Sequence, residues 1–270
     1  GVMNEIDYFK KQKDIVYLGI NEDEQSYNTV KYYVKNNITF ALLNYTYGTN
    51  GIDLPSDKPW LVNLINKNKV TKDIKEAREN ADVVIVFPHW GTENSFGISD
   101  YQKEYTELFS SLGVDLVIGC HPHVIQPVEI YKGVPIVYSL GNFILPQTFY
   151  GNKKLVYRQP EVQHELIVEW DGKNIQLYQL YFDKETNKLK VDLSADIEKH
   201  FALFKEQISG SKYLLSYLKN ASLLDIALRT RYVPNIFNEY ISYVSRNLLR
   251  FVRKVLIRAG LHNPYKAFVK

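Results

Sequence analysis

The stretch ADVVIVFPHWGTENSFGISDYQKEYTELFSSLGVDLVIGCHPH, residues 81–123, decides the fold. It opens with a continuous β-branched run, VVIVF, which reads as a strand buried on both faces, as in a parallel sheet. After a polar loop, Tyr105, Leu108, Phe109 and Leu112 recur at i, i+3, i+4 and i+7. That spacing predicts a helix opening at Ser99 or Asp100 and stopped by Gly113. A second apolar run, VDLVIG, leads straight into CHPH. Strand, loop, helix, strand, loop is the order of a βαβ crossover, so the fold class is α/β. With the two strands parallel, His89, His121 and His123 all emerge at carboxyl ends, where open α/β sheets bind their ligands.

Outward from this unit, the amino-terminal side predicts a helix with Val2, Ile6 and Phe9 in register, then a short strand from Ile15 to Leu18. YNTVKYYVKNN (27–37) and ITFALLNYTYG (38–48) predict a strand pair, closed by the turn GTNG. VTKDIKEAREN (70–80) predicts a helix with Val70, Ile74 and Ala77 on one face. On the carboxyl side, VPIVYSL predicts a third strand that brings Asn142, in GNF, to the same edge. QHELIVEW and IQLYQLYFD, joined by DGKN, predict a hairpin. From Ala195 the pattern is helical, which divides the chain into residues 1–194 and a helical segment 195–270. Its last part, residues 244–261, opposes an apolar face to a basic one. Such a stripe means packing on the domain or, alternatively, adsorption to an anionic membrane surface.

A chain of 270 residues with a net charge of +3 can bury a sizeable core and lacks the dense basic patch of a nucleic-acid binder. Its one cysteine, Cys120, excludes an internal disulfide and a cysteine-based zinc cluster. The longest wholly apolar run is about six residues, too short for a membrane span or a signal peptide.

Only six histidines occur, and three of them fall at the ends of two adjacent predicted strands. Pro122 disfavours the α conformation for the residue before it, so His121 is expected to be extended, with His121 and His123 pointing to one side. Two imidazoles so placed can share a metal, or they can be loop histidines bonded to backbone. His89 adds a third. Glu93, in HWGTE, is a candidate to orient an imidazole or to act as general base, or is a solvated loop carboxylate. Asn142 could ligate a metal or fix a water, or cap the turn after Gly141. Trp90 is expected to pack the loop and Cys120 to be a small buried residue. His164, His200 and His262 have no partners in register. Three histidines are too few for a two-metal centre, which would want carboxylate or amide oxygens as well, from Glu93, Asn94, Asp100 or Asn142.

ITFALLNYTYGTNG, ADVVIVFPHWGTE, YQKEYTELFSSLGVDLVIGCHPHVIQPVE and VPIVYSLGNFI together resemble the CapA family of capsule and poly-γ-glutamate synthesis proteins, of the calcineurin-like metallophosphatase superfamily. The resemblance runs through roughly the first 150 residues. It implies a four-layer α/β/β/α metallophosphatase-like sandwich and a divalent metal (Mn, Zn, Fe or Mg) held by His89, His121 and His123. On the reading of the residues themselves, His89, Glu93 and Asn142 are the candidate catalytic residues. The family's earlier GD, N-x-E and NNH elements do not occur here; the near match Asn36-Asn37 is followed by Ile38. The chain therefore resembles the carboxyl-terminal part of the family domain, with the rest of the metal site upstream or on another chain. Location on the outer face of a bacterial membrane, through an anchor outside this sequence, is implied. Two functions follow as expectations. One is metal-dependent hydrolysis of phosphoesters or of amide bonds in a γ-glutamyl polymer. The other is a non-catalytic cell-surface role in exporting or anchoring an anionic polymer, beside other capsule-synthesis membrane proteins.

Overall fold

The computed structural model describes residues 1–191, apart from 13, 50–52, 94, 147–148, 151–152 and 155–159. The helical segment expected from residue 195, with His200 and His262, lies outside the described residues, as does Asn94.

Helix α1 (Val2–Phe9) buries only Ile6. The strand expected over Ile15–Leu18 does not form. Ile15 and Val16 stand exposed, and the nearest pairing is an isolated bridge between Ile20 and Val62. Apolar β-branched residues favour a strand only where a neighbouring ladder takes their backbone groups, and none lies alongside among the described residues. A single turn, α2 (Glu24–Tyr27), follows behind a capping box of Asp23 and Ser26.

Strands β1 (Lys31–Lys35) and β2 (Ile38–Thr46) form the expected antiparallel pair. Asn36 and Asn37, at φ +53° and +61°, make the tight turn between them, a conformation asparagine tolerates better than most residues. Helix α3 (Lys67–Asn80) starts where the Asn66 side chain accepts the Lys69 N–H. It buries Val70, Ile74 and Ala77 as its periodicity predicts, with Asp73 beside them bonded to the Tyr45 hydroxyl at 2.9 Å.

The central crossover is as the sequence predicts. Strand β3 (Val83–His89) runs parallel to β2 in a register that ends with Thr46 opposite His89. Helix α4 (Asp100–Ser111) opens on a capping box of Ser99 and Gln102, and Gly113, at φ +79°, lies just past its end. Strand β4 (Leu116–Ile118) lies parallel to β3. The expectation that VVIVF is buried on both faces is corrected. Val84 and Val86 are fully buried while Val83, Ile85 and Phe87 are only half-buried, because α3 and α4 pack against one face of the sheet.

A hairpin of β5 (Val128–Tyr131) and β6 (Val134–Val137) completes a six-stranded sheet in the order β1-β2-β3-β4-β6-β5, of which β2, β3, β4 and β6 are parallel. The short pair β7 (Phe149–Tyr150) and β8 (Lys153–Lys154) follows. Strands β9 (His164–Trp170), β10 (Ile175–Asp183) and β11 (Lys188–Val191) then form a separate antiparallel sheet. Asp171 makes the predicted turn, its carboxylate accepting the N–H groups of Lys173 and Asn174. The two sheets meet where Gly141 bridges Glu165 and the Leu166 N–H reaches the Leu140 carbonyl at 2.8 Å. The chain is thus mixed α/β, and the carboxyl ends of β2, β3 and β4 stand side by side at one edge.

Candidate metal centre

Trp90 anchors that edge from beneath. It is fully buried, donates its indole N–H to the Tyr138 carbonyl at 2.9 Å, and packs its ring against Phe109 and Tyr138. The backbone around it is tied across strands, with His89 bridging Cys120. Cys120, expected to be buried, is only half-buried, and its partial burial pushes its thiol up to about 11, so it is no thiolate near neutral pH.

Three imidazoles converge above this platform. Ring centroids of His89 and His121 lie 4.4 Å apart, and those of His121 and His123 5.9 Å apart. His121 is buried, His123 exposed. The extended conformation expected for His121 is corrected: its φ is +104°, and that of His123 is +59°. The restriction that Pro122 imposes is only a preference, and the loop leaving β4 turns too sharply for it to prevail. Left-handed backbone at two non-glycine residues costs of order 1–3 kcal/mol each, and such strain gathers at functional sites.

One ligand atom each from Glu93, His121 and His123 lie within 4.8 Å of one another. Glu93 joins this trio as an oxygen donor, from the exposed loop after β3. His89, expected as the third ligand, abuts His121 but is not one of the three. Burial, reinforced by the charge of nearby His123 and opposed by Glu93, holds the His89 pKa below its ordinary value, so its ring is neutral at pH 7.

Asn142 fixes His123. Its amide nitrogen donates to two carbonyls, those of His123 at 3.0 Å and Val162 at 2.8 Å, which uses both hydrogens. Its oxygen therefore faces His123 Nδ1, 2.8 Å away, as an acceptor. In the neutral ring His123 then carries its hydrogen on Nδ1 and leaves the Nε2 lone pair free, the tautomer in which a histidine ligates a metal through Nε2. Two imidazoles and a carboxylate, one ring fixed by a neighbouring amide, fit a borderline or hard divalent ion such as Zn²⁺ or Mn²⁺.

Four residues at the site escape a reading of periodicity and motif. Thr46 and Tyr47, at the end of β2, meet His89: Thr46 Oγ1 lies 3.1 Å from its Nδ1, and the Tyr47 ring stacks on it at 5.9 Å and leans on His121 at 4.6 Å. Applying the carboxyl-end rule to β2 as well as to β3 and β4 would have flagged both. Below them, Gln102 and Gln126 are fully buried. Gln102 Nε2 donates to Gln126 Oε1 at 2.8 Å, and Gln126 Nε2 donates to the carbonyls of Ser95 and Gly97. This tie fastens the loop bearing Glu93 to the one bearing His121 and His123. His164 lies apart, bonded to Gln179 and packed on Tyr181.

Residues 1–147 match the family described as "Bacterial capsule synthesis protein PGA_cap". The PGA biosynthesis protein CapA of Bacillus subtilis is 33% identical over 158 residues, covering 54% of this chain and 39% of that protein. The capsule biosynthesis protein CapA of Bacillus anthracis is 32% identical over 142 residues, 51% of this chain and 34% of its own length. This chain thus spans well under half the length of either. Among solved structures, the sulfate thiohydrolase SoxB of Thermus thermophilus superposes with a TM-score of 0.38 at 15% identity, over 66% of this chain and 29% of SoxB.

Proposed function

The chain belongs to the bacterial capsule synthesis protein family, and from that premise we propose that it carries a divalent-metal hydrolytic centre serving the synthesis of an anionic surface polymer. The observation that carries this reading is the convergence of Glu93, His121 and His123 within 4.8 Å at the carboxyl edge of a parallel sheet. These three residues would hold the ion, and His89, in ring contact with His121, would be the nearest further donor. A divalent cation supplies Lewis acidity to a phosphoryl or carbonyl oxygen. The chain's own groups prepare the place for it. Asn142 keeps the His123 lone pair available, Tyr47 limits the movement of the His89 and His121 rings, and the Gln102–Gln126 tie keeps Glu93 beside them. Glu93 supplies negative charge against the cation and is the group for proton transfer on the solvent side.

The substrate class is a phosphoester or a γ-glutamyl amide of the polymer, and the working location is the cell surface. Among the described residues no helix is long and apolar enough to cross a membrane. Calorimetric titration of the full 270-residue chain with Mn²⁺ and Zn²⁺ tests the reading, with His121→Ala and His123→Ala as controls and a chromogenic phosphodiester and poly-γ-glutamate as probes. Stoichiometric binding lost in both variants, with hydrolysis of one probe, is expected. No binding of either ion refutes the centre; binding with neither probe cleaved points to a non-catalytic platform.

A further inference from the structure

We infer that Thr46 is a positioning residue that holds His89 in the tautomer with its hydrogen on Nδ1, leaving Nε2 as the ring's basic nitrogen. A threonine hydroxyl owns one hydrogen and can accept at its lone pairs. Thr46 Oγ1 lies 2.9 Å from the Gly48 carbonyl, which can only accept, so the hydroxyl hydrogen goes there. The Gly48 N–H also points back at Oγ1, at 3.4 Å. What Oγ1 offers His89 Nδ1, 3.1 Å away, is therefore a lone pair, and the hydrogen between them belongs to the imidazole.

The surroundings hold this arrangement in place. Thr46 sits opposite His89 in the parallel ladder, and the Tyr47 N–H donates to the His89 carbonyl at 2.9 Å. The Tyr47 ring lies nearly parallel to that of His89, at 12°, and limits its rotation. Thr46 is β-branched and confined in χ1, so its hydroxyl is held where it points. Asn142 imposes the same tautomer on His123 through an unrelated contact. Two rings of the site are thus prepared alike, each with Nε2 as the donor nitrogen.

The use of that nitrogen as a metal donor rests on the reading in the previous subsection; the tautomer does not. The full chain, labelled with ¹⁵N-histidine and free of metal at pH 8, is therefore examined by long-range ¹H–¹⁵N correlation, with His89 assigned from a His89→Gln sample. Wild type and Thr46→Ser are expected to show His89 protonated on Nδ1. Thr46→Val, of the same shape without the oxygen, is expected to shift His89 toward the Nε2–H form with the His123 pattern unchanged. It should also lose about tenfold in Zn²⁺ affinity, as removal of a partner behind a ligating histidine does. An Nε2–H tautomer in wild type overturns the inference, whether or not the valine variant folds. So does a His89 pattern indifferent to Thr46→Val. If the tautomer is as expected and wild type binds no metal, the metal centre fails and the positioning role stands.

Discussion

Replacing Gln126 with leucine removes the tie between the two loops of the proposed metal centre while nearly conserving volume. Three hydrogen bonds are lost together: one from Gln102 Nε2 at 2.8 Å, and those to the carbonyls of Ser95 and Gly97 at 2.8 and 2.9 Å. Gln102 is fully buried, so its amide is left with no route to water and takes the full penalty of an orphaned donor, about 2 kcal/mol. The two loop carbonyls can turn partly to solvent and add roughly 1 kcal/mol between them. The sum, about 3 kcal/mol, corresponds to a fall in Tm of roughly 6–12 °C for a folded unit of this size. Urea unfolding of wild type, Gln126→Leu, Gln102→Leu and the double variant measures it. Removing both partners leaves fewer orphans than removing them one at a time, so the double variant should be more stable than the sum of the singles by about 1–2 kcal/mol. Because the loop carrying Glu93 is released, metal affinity should fall in the single variant even at temperatures where it is fully folded. Single variants costing under about 0.5 kcal/mol, or strictly additive ones, would refute the tie.

Two other perturbations probe the platform and its neighbour. A Cβ at Gly119 would lie 2.2 Å from the Tyr138 carbonyl oxygen and 2.3 Å from Trp90 Nε1, so Gly119→Ala must push β4 and β6 apart or expel the indole. A loss of about 3 kcal/mol in urea unfolding is expected, and a loss below about 1 kcal/mol contradicts the packing. Glu165, half-buried with Oε2 unbonded among the described residues, has its carboxyl pushed up to about 7 by burial. The folded state then holds a proton that the unfolded chain releases near its ordinary value of about 4.3, so stability falls as pH rises between those values and levels off above. Glu165→Gln cannot ionise; its Tm relative to wild type should climb from pH 4.5 to 7.5, and parallel profiles would show that Glu165 ionises at its ordinary pH.

What the sequence makes legible is what periodicity encodes. Helix α4 is announced by Ser99, Gly113 and the spacing of Tyr105 and Phe109, and β3 by its valines, so the crossover and the edge carrying the histidines follow directly. Strands β5 and β11 are not legible, because VEIY and KLKV are only four residues long and bury no residue, so their short alternation marks no core face. At the site, the convergence of His89, His121 and His123 follows from topology. The backbone of His121 does not, since the rule for a residue before proline is a local average and the loop's course is set by tertiary contacts. Gln102 and Gln126 read as surface residues on their own, and only three-dimensional pairing makes them interior. Thr46 belongs to the same class: its importance lies in which atom it faces, and no pattern along the chain carries that.

The left-handed backbone at His121 and His123 sets folding and chemistry against each other at the same two positions. Glycine or asparagine would relax the loop at either place, and neither offers an imidazole. A selection for thermal robustness alone would therefore erode the centre first, and at the very residues where improvement comes most cheaply. Anyone stabilising this protein by consensus or directed evolution has to exclude these two codons from the search, or the most robust survivor will have lost the imidazoles of the proposed centre.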